Sequence, residues 1–211
     1  MLHSLEQRTE DWYKVREGRF TASQISRLLG KEGLKRTIDS MDSYAFEKAV
    51  ETIYGREEED YISNDMQRGI TLEPLAFKLF KDLKGYEFVD VNQTGFHKHG
   101  KHAGASPDGL TSDNSVLEIK CPRRNKFYKL VANGISEVDK SYIAQMQMQM
   151  MCTDTGQAYF LNYYIDNGIQ HWHELIVPRD KDMISLIKER IEEATEIKLA
   201  YIKKIQENTQ F

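Results

Sequence analysis

Two neighbouring stretches decide the fold: Ser106-Pro107-Asp108-Gly109-Leu110 and Val116-Leu117-Glu118-Ile119-Lys120-Cys121-Pro122. The second stretch alternates apolar and polar positions as a β-strand does, so Glu118 and Lys120 lie on one face. Turn-forming residues fill positions 111–115 between the two stretches. This spacing predicts a hairpin that brings Asp108 beside Glu118.

Such a hairpin would assemble the parts of a metal-assisted hydrolysis of phosphodiesters. Two carboxylates one strand-spacing apart suit a hard divalent cation such as Mg²⁺ or Mn²⁺. Lys120, on the same face as Glu118, is suited to orient an attacking water or to offset charge on a phosphate. The alternative interpretation is an exposed hairpin that carries a surface Glu-Lys pair.

The composition is that of an ordinary globular chain. Its 211 residues, 40% hydrophobic and 29% charged, fit one domain over residues 1–211. No apolar run approaches the ~20 residues that cross a bilayer, and no secretory signal opens the sequence. The two cysteines, Cys121 and Cys152, form no metal-binding pair and favour a reducing, cytoplasmic setting.

The distribution of charge is more informative than its total. The net charge of −4 argues mildly against a general nucleic-acid binder. Acidic residues collect in Glu57-Glu58-Glu59-Asp60, whereas basic residues follow the hairpin directly as Arg123, Arg124, Lys126 and Lys129. The basic cluster is suited to guide a phosphate backbone towards a cation, and a solvated surface is the alternative.

The N-terminal region predicts an anion pocket. Residues 10–16 indicate a short helix that ends at Gly18, and residues 24–29 indicate a second helix with Thr21 or Ser23 as its N-cap. Arg16, the Ser23 hydroxyl and the second helix N-terminus would together bind an anion. A capped helix beside a surface arginine is the alternative.

The rest of the chain indicates an α/β fold with a central mixed sheet flanked by helices. We expect helices at 42–54, within 66–80 (starting near Glu73, with Pro74 in the first turn), at 140–151 and at about 180–206. We also expect a strand at 86–96 and a hairpin of 157–165 with 171–177 around Asp166-Asn167-Gly168. Methionines in the third helix would fill the core. The apolar stripe of the last helix would pack on the sheet or on a neighbouring subunit.

Three histidines, His97, His99 and His102, precede the hairpin. They invite a zinc site, but no cysteine or carboxylate lies at a matching ligand spacing. A polar turn near the substrate is the other interpretation of this cluster, and the sequence leaves its role open.

Several motifs together resemble a known family. Residues 104–110 with 117–122 are similar to the PD-(D/E)xK nucleases, and within them to the phage lambda-type exonucleases, or YqaJ-like viral recombinases. The N-terminal pattern W-x-x-x-R-x-G-x-x-T-A-S also matches, as Trp12, Arg16, Gly18, Thr21, Ala22 and Ser23. The motif-bearing core spans about residues 12–177, and the resemblance implies a restriction-endonuclease-like fold.

The resemblance also implies roles for individual residues. Asp108 and Glu118 would bind the metal, with the carbonyl of Ile119 as a further ligand and Glu73, from R-G-x-x-x-E-x-x-A, as a third carboxylate. Lys120 and Gln145 would orient or activate the water, whereas Gln147 and Gln149 receive no role. Arg16 and Ser23 would hold a 5′-terminal phosphate. A further phosphate-binding arginine has no clear match among Lys31, Lys35 and Arg36.

The activity that the resemblance implies is Mg²⁺-dependent, 5′-to-3′ digestion of one strand at linear double-stranded DNA ends, in the cytoplasm of a bacterial host. The family works as a ring-shaped homotrimer together with a single-strand annealing protein. Two alternatives stay open: an endonuclease of restriction or repair type with the same fold, and a non-catalytic protein that binds DNA ends.

Overall fold

The computed structural model of the chain describes residues 6–29, 38–57 and 63–209. Lys31, Lys35, Arg36 and the acidic residues 58–60 therefore lie outside the described residues. The helices are α1 (Glu10–Arg16), α2 (Ser26–Leu29), α3 (Ile38–Tyr54), α4 (Asn64–Gly85), α5 (Arg124–Asn133), α6 (Lys140–Thr153) and α7 (Lys181–Asn208). The strands are β1 (Phe20–Thr21), β2 (Val91–Asn92), β3 (His97–His99), β4 (Ala103–Ala105), β5 (Gly109–Thr111), β6 (Ser115–Lys120), β7 (Gln157–Asp166) and β8 (Ile169–Pro178).

The main sheet has five strands in the order β2-β5-β6-β7-β8. Strands β6 and β7 run parallel, and the other pairs are antiparallel, so the predicted mixed sheet is confirmed. A parallel pair needs a long crossover, and α5 and α6 supply it between β6 and β7. Apolar side chains of α6 and α4 cover opposite faces, which buries the centre of the sheet.

A smaller sheet stands beside a helical layer. It has the order β1-β4-β3, with β1 parallel to β4, and it pairs the segment after α1 with the segment before the β5–β6 hairpin. The apolar stripe of α7, including Ile184, Ile187 and Ile191, packs with α2, α3 and α6 in one buried cluster. The last helix therefore packs on other helices, not on the main sheet.

The strand predicted over Tyr86–Phe96 is largely absent. Only Val91–Asn92 pairs as a strand, because the chain leaves α4 through a series of turns. Phe88 adopts a left-handed backbone conformation (φ 58°) and is 95% exposed. The apolar residues of this segment suggested a strand, but the turn exposes Tyr86 and Phe88 and pairs neither of them.

Helix α4 begins earlier than the sequence predicted. Ser63 caps it by accepting a hydrogen bond from the amide of Met66, so the helix extends from Asn64. Glu73 and Pro74 consequently lie in its interior, and the prediction that they occupy the first turn is wrong. Pro74 lacks an amide hydrogen, so the helix continues past it with one backbone bond fewer.

The C-terminal half follows the prediction closely. Strands β7 and β8 form the expected hairpin, which turns at Asn167-Gly168 with positive φ at both residues, as tight hairpin turns require. Helix α6 includes the ambiguous Gln/Met stretch, and its methionines Met146, Met148 and Met150 are fully buried. The described residues include no helix long and apolar enough to span a membrane.

Candidate active site

The β5–β6 hairpin forms as predicted and positions Asp108. Gly109 pairs with Leu117, and the amide of Asp108 donates to the Leu117 carbonyl at 3.0 Å. On the same side, Asp108 Oδ2 accepts a hydrogen bond from the amide of Ile119 at 2.6 Å. The register therefore fixes the Asp108 carboxylate against the middle of β6, next to the strand that carries Glu118 and Lys120.

Glu118 is the most densely bonded carboxylate of the site, and its residue is only 1% exposed. Its Oε1 accepts from Lys120 Nζ at 2.5 Å and from Gln145 Nε2 at 2.7 Å, and its Oε2 accepts from Gln149 Nε2 at 2.6 Å. Buried carboxylates need such donors, because the charge is costly without them.

Gln149 is a site residue that sequence reasoning left without a role. Gln145 and Gln149 lie four residues apart and so share one face of α6, which points at Glu118. Gln147 faces elsewhere: its side chain bonds the Pro178 carbonyl and the Asp180 amide. The four-residue spacing from Gln145 could have identified Gln149 as a site residue. The Gln/Met alternation does not distinguish the three glutamines from one another.

Lys120 is held as an ammonium. Burial opposes its charge, but Glu118 and Asp108 outweigh that effect and raise the pKa of the amine above its ordinary value. The side chain is still 27% exposed, so it reaches the cavity while bonding Glu118. In this state Lys120 donates hydrogen bonds and positive charge, and it does not accept a proton.

Asp108 shows the opposite perturbation. Burial, followed by the nearby charges of Glu118 and Glu73, raises the pKa of its carboxyl well above the usual range. Lys120 and the Ile119 amide act against this shift without cancelling it. The three carboxylates thus concentrate more negative charge than Lys120 alone offsets.

Glu73 reaches this group from the interior of α4. Its Oε2 accepts a hydrogen bond from Arg8 Nη2 at 2.6 Å, in a partly exposed ion pair. Arg8 precedes α1 and has a left-handed backbone conformation (φ 68°). The pair therefore connects the N-terminal segment to the carboxylates.

Arg16 lies on the opposite side of the same space. Its guanidinium stacks 3.9 Å from the centroid of the Trp12 ring, and Nη1 lies 3.4 Å from the Ser106 hydroxyl. Trp12 Nε1 donates to the same hydroxyl at 2.9 Å. Burial lowers the pKa of Arg16 to about 10, and within the described residues it forms no ion pair. An unpaired, half-buried guanidinium is suited to bind an anion.

Ser23 is adjacent, and the helical segment predicted beside it begins with Thr21 at the N-cap position, but as a 3₁₀ turn. Residues Ala22–Gln24 form a single 3₁₀ turn, Thr21 makes no capping bond, and α2 begins only at Ser26. The Ser23 hydroxyl lies 3.4 Å from that of Thr21. An anion pocket here would consist of the side chains of Arg16 and Ser23, beside the N-terminus of a short 3₁₀ turn and not of a longer α-helix.

One cavity of about 210 Å³ joins both groups. It is lined by the predicted residues Arg16, Ser23, Glu73, Asp108, Glu118, Ile119, Lys120 and Gln145, together with Gln7, Arg8, Trp12, Ala22 and Ser106. Sequence positions almost 130 residues apart are thus brought to one space, as the motifs predicted.

The cavity opens into a larger cleft of about 880 Å³. Arg123 and Lys126 line this cleft, with Arg56 and Arg68. Arg123 pairs with Asp65 at 2.7 Å, whereas Arg124 pairs with Asp166 at 2.6 Å beside the β7–β8 turn. The basic cluster is therefore divided, and only part of it faces the cleft.

The donor set fits a hard divalent cation. Among the described residues, no group of three or more His, Cys, Asp and Glu side chains is arranged to hold a metal ion. Lys120 and the side-chain amides of Gln145 and Gln149 bond both oxygens of Glu118, and Arg8 bonds Oε2 of Glu73. Three oxygen-bearing carboxylates in one cavity nevertheless match the ligands of Mg²⁺ or Mn²⁺, and the raised pKa of Asp108 marks the excess charge that a cation would offset.

The histidines belong to a different environment. His97 and His99 lie in β3, so the prediction of a polar turn holds only for the residues that follow them. His97 bonds the Thr94 hydroxyl, and His102 Nδ1 lies 3.4 Å from Lys198 Nζ. Burial lowers the pKa of all three rings.

Known structures resemble this arrangement closely. An alkaline exonuclease (LHK-Exo) from Laribacter hongkongensis is 29% identical, with a TM-score of 0.80 over 94% of this chain and 97% of that one. The same enzyme in complex with dAMP aligns equally well, at 28% identity. A phage-related exonuclease from Haemophilus somnus 129PT, 19% identical with a TM-score of 0.71, shares the fold over 93% of this chain and 99% of that chain.

The comparison with curated proteins gives no significant match. A model of the YqaJ-like viral recombinase domain matches residues 11–156, which include α1 and its arginine, the hairpin, and all of α6. That match covers most of the chain and every candidate site residue. The chain therefore belongs to the YqaJ-like viral recombinase family of PD-(D/E)xK nucleases.

Proposed function

We propose that this nuclease is a Mg²⁺-dependent exonuclease, with Mn²⁺ as a substitute, that degrades one strand of linear double-stranded DNA from its 5′ end. One observation carries the proposal: a single cavity contains both an unpaired arginine and a cluster of three carboxylates with a lysine. A strand whose terminal phosphate lies at Arg16 would have its first phosphodiesters near those carboxylates.

Asp108, Glu118 and Glu73 would hold the cation, with the carbonyl of Ile119 as a further ligand. When bound, a divalent cation acidifies a water and offsets charge on the phosphate. At Glu118 a cation would share or displace a bond from Lys120 and Gln145 at Oε1 or from Gln149 at Oε2, whereas at Glu73 Arg8 bonds Oε2 and leaves Oε1 for a cation within the described residues. These bonds hold the carboxylates of Glu118 and Glu73 in place beside the cavity.

Lys120 and Gln145 would act on the water and the scissile phosphate. As an ammonium, Lys120 donates to oxygen and stabilises the negative charge that accumulates on the phosphate. Gln145 donates to the same Glu118 oxygen as Lys120, so both side chains already converge on one point. Both side chains would orient the water, and neither would remove its proton, because the cation itself acidifies the water when it is bound.

Arg16 and Ser23 would grip the 5′-terminal phosphate. The guanidinium is preorganised by stacking on Trp12, which lowers the entropy that binding costs. This contact would explain why digestion starts at an end and runs 5′ to 3′. The crystallisation of LHK-Exo with dAMP is consistent with a nucleotide-binding cavity in this fold.

We extend the proposal to the DNA backbone contacts and to the oligomer. Arg123 and Lys126, which line the cleft, would contact the DNA backbone, with Arg124 at its margin. By family resemblance we expect a homotrimer that acts with a single-strand annealing protein in homologous recombination, in the cytoplasm of a bacterial host.

A plasmid digestion tests the activity. Closed-circular and linearised forms of one plasmid are incubated with the protein and Mg²⁺, and the loss of each form is followed on a gel. We expect only the linear form to disappear. Loss of the circle at a comparable rate would show an endonuclease, and loss of neither form would show a protein that binds DNA ends without cutting them.

A further inference from the structure

A type II β-turn sets the position of Arg16. The turn runs from Arg16 to Arg19 and is closed by the Arg19 amide, which donates to the Arg16 carbonyl at 3.0 Å. Glu17 (φ −53°, ψ 133°) and Gly18 (φ 65°) have the dihedrals of its two central residues. The turn connects Arg16 at the end of α1 with the strand that leads to Ser23, so its orientation determines where the guanidinium lies.

Two charged side chains from different helices hold the centre of this turn. The Gly18 amide donates to Glu51 Oε2 of α3 at 3.0 Å, and the Gly18 carbonyl accepts from Lys198 Nζ of α7 at 2.6 Å. Glu51 is itself paired with Lys48 at 2.6 Å. A side chain at position 18 would clash with Thr52, because an added Cβ would lie 2.3 Å from its hydroxyl oxygen.

Lys198 is unusual because it is buried without a counter-ion. It is 3% exposed, and it forms no ion pair with the part of the chain that the structure describes. The charged or titratable groups that face it are Arg19 from the turn, His102 from the β3–β4 segment, and Lys48 and Glu51 from α3. Burial first, and then repulsion by Arg19 and Lys48, lowers its pKa to about 8.

We propose that Lys198 is a positioning residue for the 5′-phosphate pocket, which it controls by donating a charged hydrogen bond to the Gly18 carbonyl at the centre of the turn that follows Arg16. The inference rests on the proposed function, since it assumes that Arg16 binds the terminal phosphate. It adds a residue outside the family-model match, on a helix that does not line the cavity.

A purely structural role is the competing explanation. Lys198 would then only anchor α7, and its loss would lower the free energy of unfolding without changing which DNA ends are preferred. The two explanations differ in one quantity: the ratio of KM for 5′-hydroxyl ends to KM for 5′-phosphate ends. Anchoring alone reduces the active fraction and leaves that ratio unchanged, whereas loss of positioning reduces it.

The test compares Lys198→Met, which removes the donor and the charge, with Lys198→Gln, which keeps a donor. The control is Lys203→Met, an exposed lysine on the same helix. For Lys198→Met we expect the ratio to fall about tenfold, the usual effect of losing a charged hydrogen bond. Lys198→Gln should recover part of the ratio, and Lys203→Met should match the unmodified protein.

A pH series on the unmodified protein gives an independent readout, using equilibrium binding of the two DNA ends in EDTA. Between pH 7 and 9 Arg16, with a pKa of about 10, stays charged, while Lys198 loses its proton. We expect the preference for 5′-phosphate ends to weaken severalfold over this interval, and to be flat in Lys198→Gln. This series distinguishes positioning of the pocket from anchoring of α7 even if Lys198→Met fails to fold.

The outcomes separate the two proposals. If the unmodified protein shows no preference for 5′-phosphate ends at pH 7, the phosphate pocket itself is wrong. If the preference exists but is unchanged both in the Lys198 variants and across the pH series, the pocket stands and the positioning role of Lys198 is wrong.

Discussion

The charged side chains at the two ends of the 210 Å³ cavity differ in the partners that bond them. At the hairpin end, three carboxylates accept hydrogen bonds from within the protein: Glu118 from Lys120 and two glutamines, Glu73 from Arg8, and Asp108 from the Ile119 amide. At the α1 end, Arg16 lies against Trp12 and has no ion pair among the described residues. One end has carboxylates that accept bonds from the protein itself, and the other has a guanidinium that contacts a ring and a hydroxyl but no carboxylate among the described residues.

This difference indicates which ligand has to rearrange the protein. A phosphate that reaches Arg16 meets a free donor and displaces no ion pair. A cation that reaches Glu118 or Glu73 meets carboxylates that already accept hydrogen bonds from Lys120, two glutamines and Arg8. We therefore expect the phosphate end to bind DNA ends even when no metal is present, and four experiments test that difference in order of decreasing effect.

Metal removal should abolish digestion at the carboxylate end of the cavity and preserve phosphate binding at the Arg16 end. With EDTA we expect digestion of linear DNA to fall below detection, because Asp108 and Glu118 would lack the cation that activates the water. Binding of a 5′-phosphorylated duplex, measured by fluorescence anisotropy, should still exceed binding of its 5′-hydroxyl counterpart. Equal binding of the two duplexes in EDTA would show that the ends of the cavity depend on each other.

Lys120→Ala should abolish most of the rate and little of the binding. The variant loses the ammonium that stabilises the phosphate, an effect of about 10³-fold on kcat by comparison with other charge-stabilising donors. Single-turnover digestion with Mg²⁺ measures it, and Lys78→Ala, at an exposed lysine, is the control. An unchanged rate would mean that the assigned chemistry is wrong.

Arg16→Ala should act selectively at 5′-phosphate ends. We expect kcat/KM to fall about 30-fold for 5′-phosphorylated DNA, as a lost charged hydrogen bond predicts, and to change little for 5′-hydroxyl DNA. Ser23→Ala should shift the same ratio by a smaller factor. A uniform decrease on both substrates would instead indicate that Arg16 supports the fold through its contact with Trp12.

Gln149→Leu should have the smallest effect, about tenfold on kcat. The variant removes the only donor that the described residues offer to Glu118 Oε2, so the carboxylate loses its fixed orientation. Gln147→Leu is the matched control, since it is buried in the same helix but bonds the Pro178 carbonyl. Equal losses in both variants would point to helix stability and not to the orientation of Glu118.

The sequence predicted the site best where one local pattern determines the geometry. Strand alternation over β6 placed Glu118 and Lys120 on one face, and the turn residues before it brought Asp108 alongside. The hairpin at Asn167-Gly168 was predictable for the same reason, because both its strands and its turn are local.

Features that depend on distant contacts were not predictable. Nothing near Glu73 shows that Arg8 binds it, and nothing near Lys198 shows that Gly18 accepts its bond, because each pair is joined only by the tertiary fold. The prediction of a strand over residues 86–96 was wrong for a different reason. The local composition favours a strand, but the backbone follows a series of turns after α4. The β-propensity of a segment predicts its structure poorly where few neighbouring strands are available for pairing.

The ion pair between Arg8 and Glu73 has a consequence for how the two ligands communicate. Arg8 leads directly into the helix that carries Trp12 and Arg16, so a cation that displaced Arg8 from Glu73 would also release a contact of that helix. Any change in phosphate affinity that this release causes must appear, by thermodynamic reciprocity, as an equal change in cation affinity. Titrating each ligand in the presence of the other would measure this coupling free energy directly.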